Sequence, residues 1–411
     1  MSRGRRTLDR LTTPSIDIVP GLTGLSNWPM VYVIDDTSRW LEFQMVVRPA
    51  TLKDVARRAG VSTATVARVV HENGYVAPET RQLVEAAIAE TGYQINALAQ
   101  GLRRQRSFVL GHVVRAIAPN PFFASIALGV DEEAARNGCS VLTANTREDL
   151  LMERTAVKTL IRRRVDAILF STVRNIDNVK LALAANIPVI QVERMGLPDV
   201  HGVTVDNYRG AFDATDYLAQ LGHRRIAFVG EAFDRQDANV EGPPERAKLV
   251  ERERVSGYRD ALQLHGLAPD PALIDLDGTY FDLDHVRRTT RRFLQLDNPP
   301  TAIFAACDHL ACGVLQELYA AGVRVPDDMS VIGFDDTIAQ HVSPPLSTVA
   351  QPASGIGAAA VQMALGVLEK MHDPEVSPVP AQHRRLTTQL IIRDSTGPVP
   401  VPVRTHPLPV S

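Results

Sequence analysis

Hydrophobic positions change their spacing twice along this 411-residue chain. Leu52, Val55, Ala56 and Ala59 recur at the interval that lines one face of a helix. Val61, Thr65, Val66, Val69 and Val70 follow at similar spacing, so a second short helix is predicted. Gly60 stands between the two and can take the positive φ that a sharp turn requires. Ser62 is placed to cap the second helix, and Ala56, Ala59 and Ala64 are small enough for close helix approach. A third helix is marked by Pro78 at its first position, Glu79 in its first turn and Gly92 at its end.

From Phe108 onward short apolar runs alternate with longer helical stretches. The strand candidates are 109–114, 140–144, 167–170, 189–192, 203–205, 226–229, 302–305 and 330–334, with helices such as 121–137 and 207–221 between them. Apolar strands alternating with helices predict parallel sheets covered on both faces. One such sheet would be large for this length. Two α/β lobes are expected instead, with a ligand cleft at the C-terminal ends of their strands.

The charge is distributed unevenly. The net charge is −3, yet residues 48–106 hold nine Lys/Arg against five Asp/Glu, a basic head on a more acidic body. Charge alone leaves an ordinary solvated helical face equally open. Three cysteines, Cys139, Cys307 and Cys312, form no disulfide framework or metal-ligand spacing, which fits a reducing cytoplasm. No apolar run approaches the ~20 residues of a membrane span. Nucleophile-elbow, P-loop and metal motifs are missing from the sequence, so no enzyme, cofactor or metal is expected.

The two helices around Gly60 have the sequence form of a helix-turn-helix, whose second helix enters the DNA major groove. The phrases DVARRAGVS, ATVARVV, GYQINALAQGL, NPFFASIALGV, LGHRRIAFVG, RVSGYRDAL, GFDD and PPLSTVAQP occur in that order. Together they resemble the lactose-repressor (LacI–GalR) family of bacterial transcription regulators over about residues 50 to 395. The resemblance implies an all-α helix-turn-helix headpiece joined to a two-lobed effector domain like the type I periplasmic binding proteins. It implies three chain crossovers between lobes, with the first lobe taking roughly 108–205 plus 334–349 and the second the rest.

In the head, the resemblance assigns base reading to Thr63, Ala64 and Arg68. Arg suits bidentate contact with guanine. Thr63 and Ala64 are small and can offer methyl contacts to thymine. Ser62 and Thr65 suit phosphate contacts, although the Thr65 methyl could equally pack in the core. Ala67 stands where the family usually has Ser. Residues 96–102 match the family's hinge helix, with Asn96 as its cap and Leu102 at the position that wedges into the minor groove. A helix this short is marginal in water and should form only on DNA. Ile95, where Pro is usual, and Gly101 loosen it.

In the body, the resemblance assigns effector contacts to Phe122, Phe123, Arg254, Tyr280 and Asp308. The Phe rings would stack on the ligand, though at least one is expected to be ordinary core. Tyr280 would form a second aromatic wall. Arg254 suits hydroxyl, carboxylate or phosphate groups, and the acceptor-only Asp308 suits a polyol such as a sugar. Glu193 and Arg194 follow a strand and could enter the cleft, and Asp335 is as readily structural. The charged stretch 231–254 is expected to be an exposed loop or a helix start.

The expected domain map is 1–48 extension, 49–93 DNA-binding head, 94–107 hinge, 108–395 effector-binding and dimerisation domain, and 396–411 disordered tail. Residues 1–44 read either as a mis-called extension before a true start at Met45 or as a disordered basic arm carrying Arg3, Arg5 and Arg6. The expected protein is a cytoplasmic, nucleoid-associated, homodimeric repressor of a pseudo-palindromic double-stranded operator. A sugar or sugar derivative would control it, with no membrane partner. A periplasmic binding protein would share the body but would carry a secretion signal and lack the head.

Overall fold

The chain divides into two units by its internal contacts, 1–100 and 101–411. The computed structural model describes residues 31–34, 40–43, 50–71, 73–93, 106–147, 149–171, 175–193, 196–231, 250–278, 282–371 and 380–399.

The first unit contains α1 (Leu52–Ala59), α2 (Thr63–Val70) and α3 (Pro78–Thr91). A capping box starts α1: Asp54 accepts from the Thr51 backbone N–H and hydroxyl at 2.9 and 2.6 Å. Gly60, at φ 69°, turns the chain in the left-handed region that a side chain would resist. Val55, Ala56, Val66, Val69, Val84 and Ala87 form the core of the three helices. Ala64 departs from expectation, for it lies exposed on α2 and does not mediate helix packing. In the stretch read as an unstructured extension, β1 (Val31–Ile34) pairs antiparallel with β2 (Trp40–Phe43). Both strands consist largely of the β-branched and aromatic residue types that favour extended backbone.

The second unit carries two six-stranded sheets among the described residues. The first contains β3 (Val109–Val114), β4 (Ser140–Asn145), β5 (Ala167–Ser171), β6 (Val189–Val192), β7 (Gly202–Val205) and β13 (His383–Leu386), all parallel, in the order β13-β7-β6-β5-β3-β4. Its strands alternate by face. Leu110, Val114, Leu169 and Ile190 pack toward α4 (Pro121–Arg136) and α11 (Ala353–Met371). Val113, Ile168, Phe170 and Val189 belong to a separate core shared with α5 (Leu150–Arg162) and α6 (Ile176–Ala184).

The second sheet contains β8 (Ile226–Glu231), β9 (Ile274–Gly278), β10 (Ala302–Ala305), β11 (Ser330–Asp335), β12 (Ser347–Ala350) and β14 (Gln389–Ile391), in the order β14-β12-β11-β10-β8-β9, with only β14 antiparallel. Its helices are α7 (Asn207–Gln220), α8 (Val250–Leu264), α9 (Leu283–Leu294) and α10 (Asp308–Ala320).

The chain crosses between lobes after β7, after β12 and after β13. The three crossings match expectation, but the placement of residues 334–349 in the first lobe is corrected. β11 and β12 are central strands of the second sheet, and α11 is the segment that returns to the first. The tail also departs from expectation. Ser395 O accepts from Val331 N at 2.8 Å, Gly397 N donates to Ser330 Oγ at 3.0 Å, and Val399 N donates to Leu221 O at 3.1 Å. Residues 396–399 are therefore strapped onto the second lobe.

Candidate functional site

The head presents one exposed face of α2. Ser62 caps that helix: its Oγ accepts from Thr65 N at 3.1 Å and lies 2.9 Å from Thr65 Oγ1. The cap satisfies a free N–H of the first turn and fixes both hydroxyls at the helix start, where phosphates are favoured. Val66 and Val69 point inward, which turns Thr63, Ala64 and Arg68 outward together. Thr65 is half-buried beside them. Tyr75, 88% exposed after α2, was not singled out from sequence. Its signal was an aromatic residue placed next to Gly74 in a turn. Asn96 and Leu102 lie outside the described residues.

In the second unit a cleft lies where the strand ends of both lobes face each other, as expected of doubly wound sheets. It is lined by Arg115, Asn120, Phe122, Phe123, Glu193, Val250, Glu251, Arg254, Cys307 and Asp335. The empty space there is ≈ 380 Å³ when the open, solvent-filled mouth is counted.

Each lining side chain is placed by the end of an element. Asn120 caps α4, accepting from Phe122 N at 3.0 Å, and Pro121 begins that helix, so both Phe rings stand at the cleft wall. The rings meet edge to face at 5.4 Å. Arg254 projects from the second turn of α8. Its Nε donates to Asn207 Oδ1 at 2.9 Å, its Nη1 to Ala306 O at 2.5 Å, and its guanidinium lies 3.8 Å from the Phe334 ring centroid. These contacts hold the group in one orientation before any ligand arrives. The charged segment expected to be a loop or helix start contributes Val250, Glu251 and Arg254 from inside α8, and all three are buried.

Two side-chain pairs join the lobes across the cleft. Arg115, following β3, donates from Nη2 to Glu231 Oε1 at 2.6 Å and from Nη1 to Glu231 Oε2 at 3.1 Å, at the end of β8. Asn120 Nδ2 lies 3.5 Å from Asp335 Oδ2, whose other oxygen accepts from Gln351 Nε2 at 2.6 Å. Asp335, at φ 116°, and Glu193, at φ 69°, both hold backbone that favours glycine. Such strain gathers where side chains are aimed for a purpose.

The electrostatics follow from burial. Loss of solvent pushes the Glu193 carboxyl up to about 7 against the pull of Arg254, with Glu251 and Glu253 adding to the rise. Burial likewise raises Asp335, opposed by Arg254, and raises Asp308, with the neighbouring Asp335 charge adding to the effect.

The structure brings Phe122, Phe123 and Arg254 together. Asp308 is not among the lining residues. It is fully buried at the start of α10, where Oδ2 accepts from Thr337 N at 3.0 Å and Oδ1 from Thr348 Oγ1 at 2.6 Å. Cys307, one residue earlier, lines the cleft instead. Tyr280 and Arg194 lie outside the described residues. Sequence reasoning missed Arg115, Glu231 and Glu251. A signal existed for the first two: each is a charged residue at the C-terminal end of an apolar strand, the edge that faces a cleft. Among the described residues no group of His, Cys, Asp and Glu is disposed to hold a metal ion, and no helix is long and apolar enough to cross a membrane.

Comparison with known proteins agrees with both parts. Residues 51–96 match the family described as bacterial regulatory proteins, lacI family, and residues 215–396 match the periplasmic binding protein-like domain. The HTH-type transcriptional repressor CytR of Escherichia coli strain K12 is 32% identical over 357 residues, 85% of this chain and 97% of its own length. Among solved structures, the transcriptional regulator CelR–cellobiose complex is 30% identical with TM-score 0.61, covering 85% of this chain and 100% of its own. The lac repressor dimer bound to operator and the anti-inducer ONPF is 27% identical with TM-score 0.70 and the same coverage. These relatives are transcription regulators rather than enzymes. By the order of its motifs, its fold and its kinship over nearly the full length of its relatives, this chain belongs to the LacI family of DNA-binding bacterial transcription regulators.

Proposed function

We propose that the protein is a homodimeric repressor whose operator affinity is set by a sugar or sugar derivative held between its lobes. Two copies place α2 in successive major grooves of a pseudo-palindromic operator in the cytoplasm. Thr63, Ala64 and Arg68 read base edges, while Ser62 and Thr65 fix register on phosphates. Asn96 and Leu102 act in the hinge. In the cleft, Phe122 and Phe123 give an apolar wall and Arg254 a fixed donor. Tyr280 adds a second wall, and Asp308 supports the site from beneath. The observation that carries this reading is a cleft closed by bonds between two lobes, in a chain whose head exposes the Thr63–Arg68 face. A ligand that favours one lobe arrangement must by linkage change DNA affinity, as operator binding changes ligand affinity. A cellobiose complex of one relative and an operator complex of another support the two halves of the proposal.

The test is a genomic map of sites bound by the purified protein, followed by titration of those sites with a sugar panel. Specific sites flanking transport or catabolic genes, with affinity moved by one sugar, are expected. Equal binding to all DNA, or indifference to every ligand, would overturn the proposal.

A further inference from the structure

Asp166, the residue before β5, directs its carboxylate at the segment of chain that enters β3. Oδ1 accepts from Ser107 N at 2.6 Å and from Ser107 Oγ at 2.8 Å, and Oδ2 accepts from Phe108 N at 2.9 Å. Arg106 Nε lies 3.6 Å from Oδ2, and the Arg106 guanidinium lies 5.3 Å from the Phe108 ring centroid. Ser107 Oγ also accepts from Val109 N at 3.2 Å. The Asp166 side chain is 5% exposed, so a buried carboxylate grips residues 106–108 through charge-assisted bonds.

Starting a strand does not require this grip. Phe108 O already accepts from Ser140 N at 2.8 Å beside β4, and Val109 O from Asp166 N at 2.8 Å beside β5. The carboxylate adds bonds to residues that precede the strand. The chain turns there: Phe108 holds φ 56°, backbone that a bulky side chain resists. Such backbone persists where the surrounding contacts over-determine it. The chain therefore meets the lobe at an imposed angle, and its N-terminal continuation leads to the DNA-binding head.

We propose that Asp166 is a positioning residue for operator binding, which fixes the point and angle at which the chain leaves the first lobe toward the head. This rests on the reading of the protein as a dimeric repressor of a pseudo-palindromic operator. Arg115 directly follows β3, so the Asp166 grip and the Arg115–Glu231 pair stand at opposite ends of one strand, about 20 Å apart. β3 lies between β4 and β5, so residues 106–108 move with the first lobe as a body. In a dimer two gripped exits set the distance between the heads. Operator affinity then depends sharply on half-site spacing, because both heads must engage at once. A loosened exit admits other spacings and weakens the preferred one, since more freedom is lost on binding.

The test uses a palindromic duplex that the full-length protein selects from a random-sequence pool. The duplex is rebuilt with one base pair added or removed between half-sites, which turns one half-site by about a tenth of a helical turn. In gel-shift titrations the parent should lose about tenfold or more on each altered duplex. Asp166→Asn keeps one acceptor oxygen and replaces the other by an amide that cannot accept from Phe108 N. It should bind the selected duplex several-fold more weakly and lose less than about threefold on the altered ones. Ser107→Ala removes only the hydroxyl bond and should move both readings the same way by less, which keeps the test alive if Asp166→Asn fails to fold. A parent indifferent to spacing overturns the inference. So do variants that keep the parent's spacing dependence, because equal losses on every duplex would mark Asp166 as a support of the fold alone. A protein that selects no sequence overturns the repressor reading itself.

Discussion

Arg115 and Glu231 are 116 residues apart in sequence, yet they form a two-bonded ion pair that joins one lobe to the other, with side chains 1% and 7% exposed. Breaking such a pair from one side leaves a buried charge unmatched. Glu231→Leu and Arg115→Met should each destabilise the two-lobed unit by about 3–5 kcal/mol, and the double change by less than either single one. Urea unfolding of the three variants checks this. Additive losses would show that the two residues act independently.

Arg68→Ala should weaken specific operator binding by about 1–3 kcal/mol and relax preference at one base pair per half-site. The outward position of Arg68 beside Thr63 and Ala64 motivates it. Gel-shift titrations on operator and random DNA decide the matter. Equal losses on both would make Arg68 a phosphate contact.

Asp308 and Arg254 should part company. Arg254→Lys keeps a charge but loses the fork held by Asn207 and Ala306, so it should shift the effector response to much higher ligand concentration with the fold intact. Asp308→Ala strands Thr337 N and Thr348 Oγ1 in a buried place, so it should cost about 1–3 kcal/mol in stability. Thermal unfolding and ligand titration of the pair separate the two roles. A fully stable Asp308→Ala protein that has lost its ligand would return Asp308 to direct contact.

The pH dependence has a definite sign. Glu193 is lifted to about 7 in the folded state, so its neutral form is favoured there. Its contribution is fully present below the ordinary glutamate range, near 4.5, and is lost as pH rises through about 7. His112 works in the other direction. Burial lowers it to about 4, so its contribution is present above about 6.5 and is lost as pH falls toward 4. The difference in stability between the parent and Glu193→Gln isolates the first effect. That difference should change with a slope of up to about 1.4 kcal/mol per pH unit between pH 4.5 and 7. A flat difference would place Glu193 in solvent.

Helix contact in the first lobe depends on absent side chains. A Cβ at Gly129 would lie 2.0 Å from Ser354 O, and one at Gly357 would lie 2.2 Å from Ile126 O, so α4 and α11 touch backbone to backbone. Gly129→Ala should cost about 1–3 kcal/mol or more and separate α11 from its lobe. Denaturant titration of the variant checks it. Parent stability would mean that the helices can move apart freely.

Much of this was legible in the chain. Apolar runs such as 109–114, 189–192 and 302–305 coincide with β3, β6 and β10, because strands buried on both faces leave unbroken apolar signals. Of the edge strands, β4 coincides with the run 140–144, whereas β9, β13 and β14 left no such run. β9, reading IDLDG, carries buried Asp275 and exposed Asp277, and β13, reading HRRL, carries exposed His383, Arg384 and Arg385. The lobe assignment of 334–349, drawn from the resemblance, failed because β11 and β12 both belong to the second sheet, which strand-like runs alone do not reveal. In the cleft, Phe122, Phe123 and Arg254 followed from motif resemblance. The Arg115–Glu231 pair could not, since only the closed fold brings those positions together.

The last stretch of the described chain serves both lobes in turn. β13 lies along the outer edge of one sheet, β14 along the outer edge of the other, and 394–399 is tied beneath the second. A protein shortened to end at Met371 would lose the outermost strand of each sheet at once. It would expose the backbone edges of β7 and β12, open to pairing with neighbouring molecules. Truncation there should yield insoluble aggregates before it yields an inactive regulator.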